Sequence, residues 1–595
     1  MNEIELRLAS LRELMKREHL SAFIFPSTDA HQSEYVADHW RGREWISGFN
    51  GSAGTAVVTM TSAALWTDSR YFLAAEEQLE GTEYQLMKLK IEGTPTIAEW
   101  LGKELQEVQS PEVGLDGMVN SYNYVKDLSY SLRKLGGITL RTNLDPLAQI
   151  WENRPSLPAN PVEIQPLEYA GETLASKVAR IRKSLRELHA DGMLVSALDD
   201  IAWTLNLRGT DVHCNPVFVS YLLIESDKVS LFVDDNKLSS EVKQYLQDNQ
   251  VSLYNYNKVE KCLESYSEYN ILLDGDETSY YLWKAVKCQE IVAAGSPIPA
   301  MKAVKNKAEI EGYRSAMLKD GVAMVKFLKW LKPAVEAGGQ TEISIDKKLT
   351  SLRAEQKLFR DISFDTIAGY AQHGAIVHYE ATPETDVVLK PEGLILIDSG
   401  AQYQDGTTDI TRTIALGPVS EEMKHIYTLV LKAHIQLELV KFPDGASGTQ
   451  LDAVGRECMW REGYNFLHGT GHGVGSYLCV HEGPHQIRME WMPTPLRVGM
   501  TLTDEPGLYL AGKFGVRIEN TVLISDYLST EFGKFLQIEP LTLCPIDTTP
   551  IDVDMLLPEE IEWLNDYHQL VYEKLSPFLN EEEKLWLKNA TKPIK

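Results

Sequence analysis

Residues 394–413 read LILIDSGAQYQDGTTDITRT, and this stretch decides how the second half of the chain must fold. LILID (394–398) is an apolar run of strand length ending on Asp398, Asp405-Gly406 is a turn signal, and DITRT (409–413) opens the next strand on Asp409. Two carboxylates are therefore expected close together on a hairpin. A symmetric pairing of Asp398 with Asp409 would centre the turn near Tyr403 instead of Asp405, so a longer or bulged loop is expected and the register stays open.

Further along, HGTGHGVGSYLCVHEGP (468–484) sets His468, His472 and His481 among glycines that let backbone approach a ligand closely. TDEPG (503–507) puts Glu505 beside a proline turn, and Glu519 falls in an alternating strand, GVRIENTVLI (515–524). Asp398, Asp409, Glu505, Glu519 and one histidine make a hard, oxygen-rich ligand set. Such a set suits Mn²⁺, with Co²⁺, Fe²⁺ or Zn²⁺ as competitors. Four carboxylates balance two divalent cations and leave a bridging hydroxide as surplus anion and nucleophile, with the metals expected ~3.5–4 Å apart. Singly, each residue has an ordinary reading: a strand-end aspartate caps a turn, a strand glutamate is solvated, a glycine-flanked histidine satisfies a backbone group. The set is what points to metal chemistry.

Around this region the chain is organised by an internal repeat. Leu11-Arg12-Glu13-Leu14 recurs as Leu185-Arg186-Glu187-Leu188, 174 residues later. Each copy ends an amphipathic helix, enters an apolar strand (SAFIF, 21–25; GMLVS, 192–196) and continues to a tryptophan, Trp45 or Trp203. Each then reaches an apolar strand ending in aspartate, LWTD (65–68) or LFVD (231–234). Two α/β domains of similar design are expected, 1–154 and 155–298. Pro155, Pro158, Pro161 and Pro166 make the connection between them extended. Pro297 and Pro299 mark the next boundary, ahead of a third domain over 299–540. Residues 541–595 read as a helical appendix whose stripe of Ile561, Trp563, Leu564, Tyr567, Leu570 and Val571 suits packing.

Composition excludes several classes. A chain of 595 residues is too long for one core, and 44% apolar with 24% charged residues is ordinary for a globular protein. A formal charge of −27 repels phosphate backbones and anionic lipid, so neither nucleic acid nor membrane is an expected partner. The charged start MNEIELRLASLRELMKREHL holds no secretory signal, and six sparse cysteines without a CxxC pair suit a reducing compartment. A cytoplasmic location is expected.

The order Asp, Asp, His, Glu, Glu at gaps of 11, 63, 33 and 14 residues resembles the pita-bread metallopeptidases, which include methionine aminopeptidase, prolidase and aminopeptidase P. GAIVHY (374–379), DSGAQYQDGTTDITRT (398–413), HGTGHGVG (468–475), TDEPG and RIEN (517–520) resemble the aminopeptidase P branch. The resemblance extends to two creatinase-type amino-terminal domains and to the WLNDYH…WLKNATKP carboxyl segment of the three-domain form. It implies a pita-bread catalytic domain, a homodimer, and hydrolysis of the N-terminal Xaa-Pro bond of peptides. It further implies that Asp398, Asp409, His472, Glu505 and Glu519 ligate two metals, with Glu505 also relaying the proton. His378 and His481 would then stabilise the oxyanion or bind the substrate backbone, and His468 would line the proline pocket. Tyr509 and Phe364 are weaker candidates for its walls. Arg517, two residues before Glu519, should share a face with it; it is a substrate-binding candidate, the positive group a prolidase would set against the proline carboxylate, and the favoured reading is that it orients a metal-bound carboxylate. Relatives often have an asparagine or proline-rich lead into this GAI-hydrophobic-His motif; here the lead carries an extra His373, five residues before His378, which is read as a loop residue. Rival readings are a prolidase with the same metal set, and a metal-free binding protein or creatinase-like hydrolase on the same fold. Retention of all five ligand types counts against the metal-free forms.

Overall fold

A computed structural model of the chain describes residues 2–595, which form two compact units. The first comprises the residues up to Gln165 together with Glu172–Ile298. Helix Glu3–Arg17 starts on a capping box between Asn2 and Glu5 and buries Leu8, Leu11, Leu14 and Met15, one stripe at helical spacing. It feeds the fully buried strand Ala22–Phe25. That strand pairs antiparallel with Thr55–Thr59 on one side and parallel with Glu112–Leu115 on the other. The second copy repeats this. Helix Leu174–Glu187 buries Leu174, Val178, Ile181 and Leu185, and strand Gly192–Val195 pairs antiparallel with Ser220–Glu225 and parallel with Asn270–Leu273. Both six-stranded sheets run in the same order about this inner strand, so the repeat seen in the sequence is a repeat of topology. Leu188 is the exception within the repeated motif: it falls at the helix C-cap and is exposed.

The second unit comprises Pro166–Gly171 and Pro299–Lys595. Its long helix Lys307–Ala337 begins on a capping box between Asn306 and Glu309. Strand Leu394–Ser399 lies between Ile367–Tyr370 and Ile410–Ala415 in a three-stranded antiparallel sheet. Its hairpin partner is offset from the symmetric case: Asp398 stands opposite Thr411, and the pairing continues in the same register through Gln402 opposite Thr407. The expected bulged loop is therefore absent, and the chain reverses in a tight turn at Gln404-Asp405.

A six-stranded sheet holds Gly471–Gly473 between Glu482–Ile487 and Thr501–Asp504, with Asn520–Thr530 beyond. The expected single strand over 515–524 is broken. Phe514–Arg517 pairs with Gly507–Leu510 in a separate ribbon, and the chain changes sheets at Ile518-Glu519. The carboxyl segment is no appendix. Leu564, Tyr567, Val571 and Leu575 of helix Pro558–Leu575 share one core with Leu394, Tyr427, Val430, Val516 and Ile518. None of the six cysteines is in a disulfide, and no helix of the described residues is long and apolar enough to cross a membrane.

Candidate active site

Asp398 sits near the end of its strand, and Arg517, on the ribbon, reaches it with two donors: Nη2 to Oδ2 at 2.6 Å and Nε to Oδ2 at 3.2 Å. The same Nε lies 3.2 Å from Thr411 Oγ1, and Thr411 donates its hydroxyl to Glu519 Oε2 at 2.7 Å. Arg517 and Glu519 thus converge on one threonine although they do not share a strand, since the chain changes sheets between them. The backbone N–H of Glu519 donates to Thr411 carbonyl at 3.1 Å, so the sheet switch is what aims Glu519 at the hairpin.

His472 is set by its own strand. Its Nδ1 lies 2.8 Å from the Gly473 carbonyl and donates to it, which leaves Nε2 turned toward the carboxylates. Nε2 is 3.5 Å from both Asp409 Oδ2 and Glu505 Oε1, and Asp409, His472 and Glu519 each present a ligand atom within 4.8 Å of the others. Thr503 accepts from the His472 amide at 3.1 Å and donates to Glu505 Oε1 at 3.1 Å. Flanking glycines act differently from the expectation. A Cβ on Gly471 would collide with the Thr503 carbonyl and one on Gly473 with the Glu482 carbonyl, so these glycines let strands approach each other.

Burial pushes the carboxyls of Asp398, Glu505 and Glu519 upward, and repulsion between them and Asp409 adds to it; Arg517 pulls Asp398 and Glu505 back. For His472, burial alone favours the neutral ring, yet the hydrogen bond to Asp409 and the charges of Glu505 and Asp409 outweigh it and hold the imidazole up to about 9. Asp398 Oδ1 is buried and accepts no hydrogen bond. Four carboxylates with one guanidinium and one imidazole form a site short of positive charge, with an oriented ring nitrogen and an unused oxygen in it. That donor set fits hard divalent cations.

The other named residues surround this cluster. His481 packs edge-on against His472 at 4.4 Å between centroids, and half-buried His378 follows the turn Ala371–Ala375. His468 Nδ1 donates to the Gly469 carbonyl at 2.7 Å, so its Nε2 accepts from Tyr509 hydroxyl at 2.8 Å; Arg517 Nη1 in turn donates to that hydroxyl at 2.7 Å. Burial pushes the Tyr509 phenol up to about 12 against the opposing pull of Arg517, which keeps it a proton donor. Phe364 is half-buried just ahead of strand Ile367–Tyr370. His373 lies in the Ala371–Ala375 turn with Nδ1 2.9 Å from buried Glu342, which also accepts from Tyr379 hydroxyl at 2.8 Å. Thr411 and Thr503 went unnoticed in the sequence, because a threonine in a strand looks like ordinary β-propensity.

The fold and this constellation define a dinuclear metallopeptidase type of site. Metallopeptidase family M24 matches residues 311–526, its C-terminal region 534–594, and the creatinase/prolidase N-terminal domain twice, at 7–141 and 153–309. Probable Xaa-Pro aminopeptidase P of Paracoccidioides brasiliensis is 40% identical over 612 residues, covering 99% of each chain. Aminopeptidase P1 of Arabidopsis thaliana is 37% identical, covering 100% of this chain and 99% of its own. The crystal structure of X-prolyl aminopeptidase from Caenorhabditis elegans, described as a cytosolic enzyme with a di-nuclear active site, superimposes with TM-score 0.95 at 35% identity over 100% of both chains. The prolidase from Pyrococcus horikoshii reaches TM-score 0.50 at 25% identity and covers 62% of this chain. The chain belongs to the aminopeptidase P branch of metallopeptidase family M24.

Proposed function

We propose that this chain removes the first residue from peptides whose second residue is proline, using two Mn²⁺ ions held by Asp398, Asp409, His472, Glu505 and Glu519. The carrying observation is that Asp409, Glu505 and Glu519 converge on His472 from separate stretches of sequence, while Arg517 and Thr411 tie Asp398 to Glu519. When bound, the two ions supply Lewis-acid activation of the scissile carbonyl and of a water molecule. The chain's own groups do the rest. Glu505, its Oε1 held by Thr503, takes a proton from the attacking water and passes it to the proline nitrogen as the bond breaks. His378 and His481 donate to the oxyanion or to the substrate backbone, and His468 with Tyr509 walls the proline ring.

Proline demands such a site because its amide has no N–H and its ring fixes φ, so strand-like substrate pairing is closed to it. We further read the protein as cytoplasmic, in keeping with the Caenorhabditis elegans enzyme described as cytosolic, and as a homodimer. Incubating Mn²⁺-loaded protein with an Xaa-Pro-Yaa peptide tests the function. Free Xaa is expected, and its absence with a loaded, folded enzyme refutes the reading; light scattering tests the dimer.

A further inference from the structure

Beside the five-residue site the second unit buries another set of metal-ligating groups. His434 and Glu438 stand one helical turn apart on Glu421–Leu439, and Asp504 ends strand Thr501–Asp504. None is more than 2% exposed. His434 Nδ1 is 3.0 Å from Asp504 Oδ2 and its Nε2 is 3.8 Å from Glu438 Oε1, and one ligand atom from each residue lies within 4.8 Å of the others. Both oxygens of Asp504 and Oε2 of Glu438 are buried without a hydrogen bond, which is costly for carboxylates. Asn520 donates to the remaining Glu438 oxygen at 2.9 Å.

Among the described residues no lysine or arginine is bonded to these carboxylates. The nearest guanidinium, Arg412, spends its donors on the carbonyls of Thr411, Glu519, Cys544 and Pro545, on Asn520 Oδ1 and on the Tyr567 hydroxyl. His434 Nε2 accepts from Asn520 Nδ2 at 3.3 Å, so the ring nitrogen facing Asp504, Nδ1, is the one a cation would take on release of its proton. Trp563 of the carboxyl segment closes the cluster, its ring edge-on to His434 at 5.6 Å.

We infer that His434, Glu438 and Asp504 form a third divalent-cation site, separate from the five-residue site. One imidazole and two carboxylates suit Zn²⁺, whose ~2.0–2.2 Å bonds to such donors require ligand atoms about 3–4 Å apart. At an N,O site Zn²⁺ also outcompetes Mn²⁺. The ion is enclosed on folding and holds the end of the strand that carries Asp504 into Glu505.

Metal counting on the full-length protein, produced with both Mn²⁺ and Zn²⁺ and dialysed natively against EDTA, tests this. One zinc equivalent should resist the chelator, and anomalous diffraction at the zinc edge should place it between the three residues. Glu438→Gln should lose that equivalent, keep two exchangeable ions, and melt several degrees lower. If wild type retains no zinc after EDTA and shows no anomalous peak there, the inference is overturned and protons hold the carboxylates. Glu438→Gln would then melt at an unchanged or higher temperature, since it removes a buried charge. Should that variant not fold, the anomalous map of the wild type alone decides.

Discussion

Arg517 takes one oxygen of Asp398 and leaves the other bare: Nη2 and Nε both meet Oδ2, at 2.6 and 3.2 Å, while buried Oδ1 has no hydrogen bond. The guanidinium therefore fixes the carboxylate's orientation and neutralises part of its charge without occupying the oxygen that a cation would use. Its remaining donors tie Tyr509 and the Val377 carbonyl into the same frame. In Arg517→Lys a single ammonium cannot span Asp398 and Tyr509 together. We expect metal affinity to fall about 10–100-fold with the fold retained, read by titrating metal into the apoprotein alongside circular dichroism.

Metal removal follows the same electrostatics. Without cations, Asp398, Asp409, Glu505 and Glu519 face one another in a buried site. Wild type should bind two Mn²⁺ there, and chelation should lower the unfolding temperature, by about 2.7 kcal/mol of stability if the free metal had stood at ~100 times its dissociation constant. Asp409→Ala should lose metal, since Asp409 lies 3.5 Å from the His472 ring nitrogen. Elemental analysis showing both ions retained in that variant would remove Asp409 from the ligand set.

His378 and His481 separate binding of metal from turnover. His481 touches the His472 ring but is assigned no bond to metal. His378→Ala and His481→Ala should keep their metal while kcat falls about 10²–10³-fold, the usual loss for one oxyanion donor. Loss of metal in either variant would instead make it a ligand.

The strands ending in Asp398 and beginning near Asp409 were legible because apolar runs and a turn signal are local features. The carboxylate pattern was legible because acids and histidines among apolar strands conflict with burial. What stayed hidden depends on pairing across the chain. The offset of Asp398 to Thr411 is set by where the hairpin closes, at Gln404-Asp405, and the break at Ile518-Glu519 comes from the ribbon competing with the larger sheet for the same strand. His434 and Glu438 sit in a helix whose spacing fits ordinary core packing, and only the end of a distant strand brings Asp504 to them.

Acid should destabilise the second unit through His568. Its Nε2 accepts from the Ile546 amide at 3.1 Å, so the fold requires the neutral ring, and burial, reinforced by Arg412, pushes it down to about 4. The folded value lies below the unfolded one of about 6.5, so the contribution is complete above pH 6.5 and is lost as pH falls toward 4. This one residue accounts for about 3 kcal/mol across that window. His568→Gln should be less stable than wild type at pH 7.5 and show a shallower acid dependence in denaturant titrations; equal slopes would contradict the assignment.

Substrate length separates the aminopeptidase from a prolidase on the same chemistry. A dipeptidase must engage the carboxylate of the proline itself, which requires a positive group beside the ring. Arg456 bonds the His468 carbonyl but spends its donors there and on Asp452, Asn465 and the Phe466 carbonyl. Arg517, which bonds Tyr509, has its donors already committed to Asp398, Thr411, Tyr509 and the Val377 carbonyl. It would have to abandon a carboxylate of the metal site to bind the substrate's. A peptide continuing beyond proline presents an amide there and makes no such demand. We expect Xaa-Pro-Yaa tripeptides and longer peptides to be cleaved with kcat/KM at least about tenfold above Xaa-Pro dipeptides, a difference of ~1.4 kcal/mol in transition-state stabilisation. Replacing the substrate proline by alanine should nearly abolish cleavage. Steady-state kinetics with a clear preference for the dipeptide would show that another cation reaches the proline carboxylate, and would make the enzyme a prolidase.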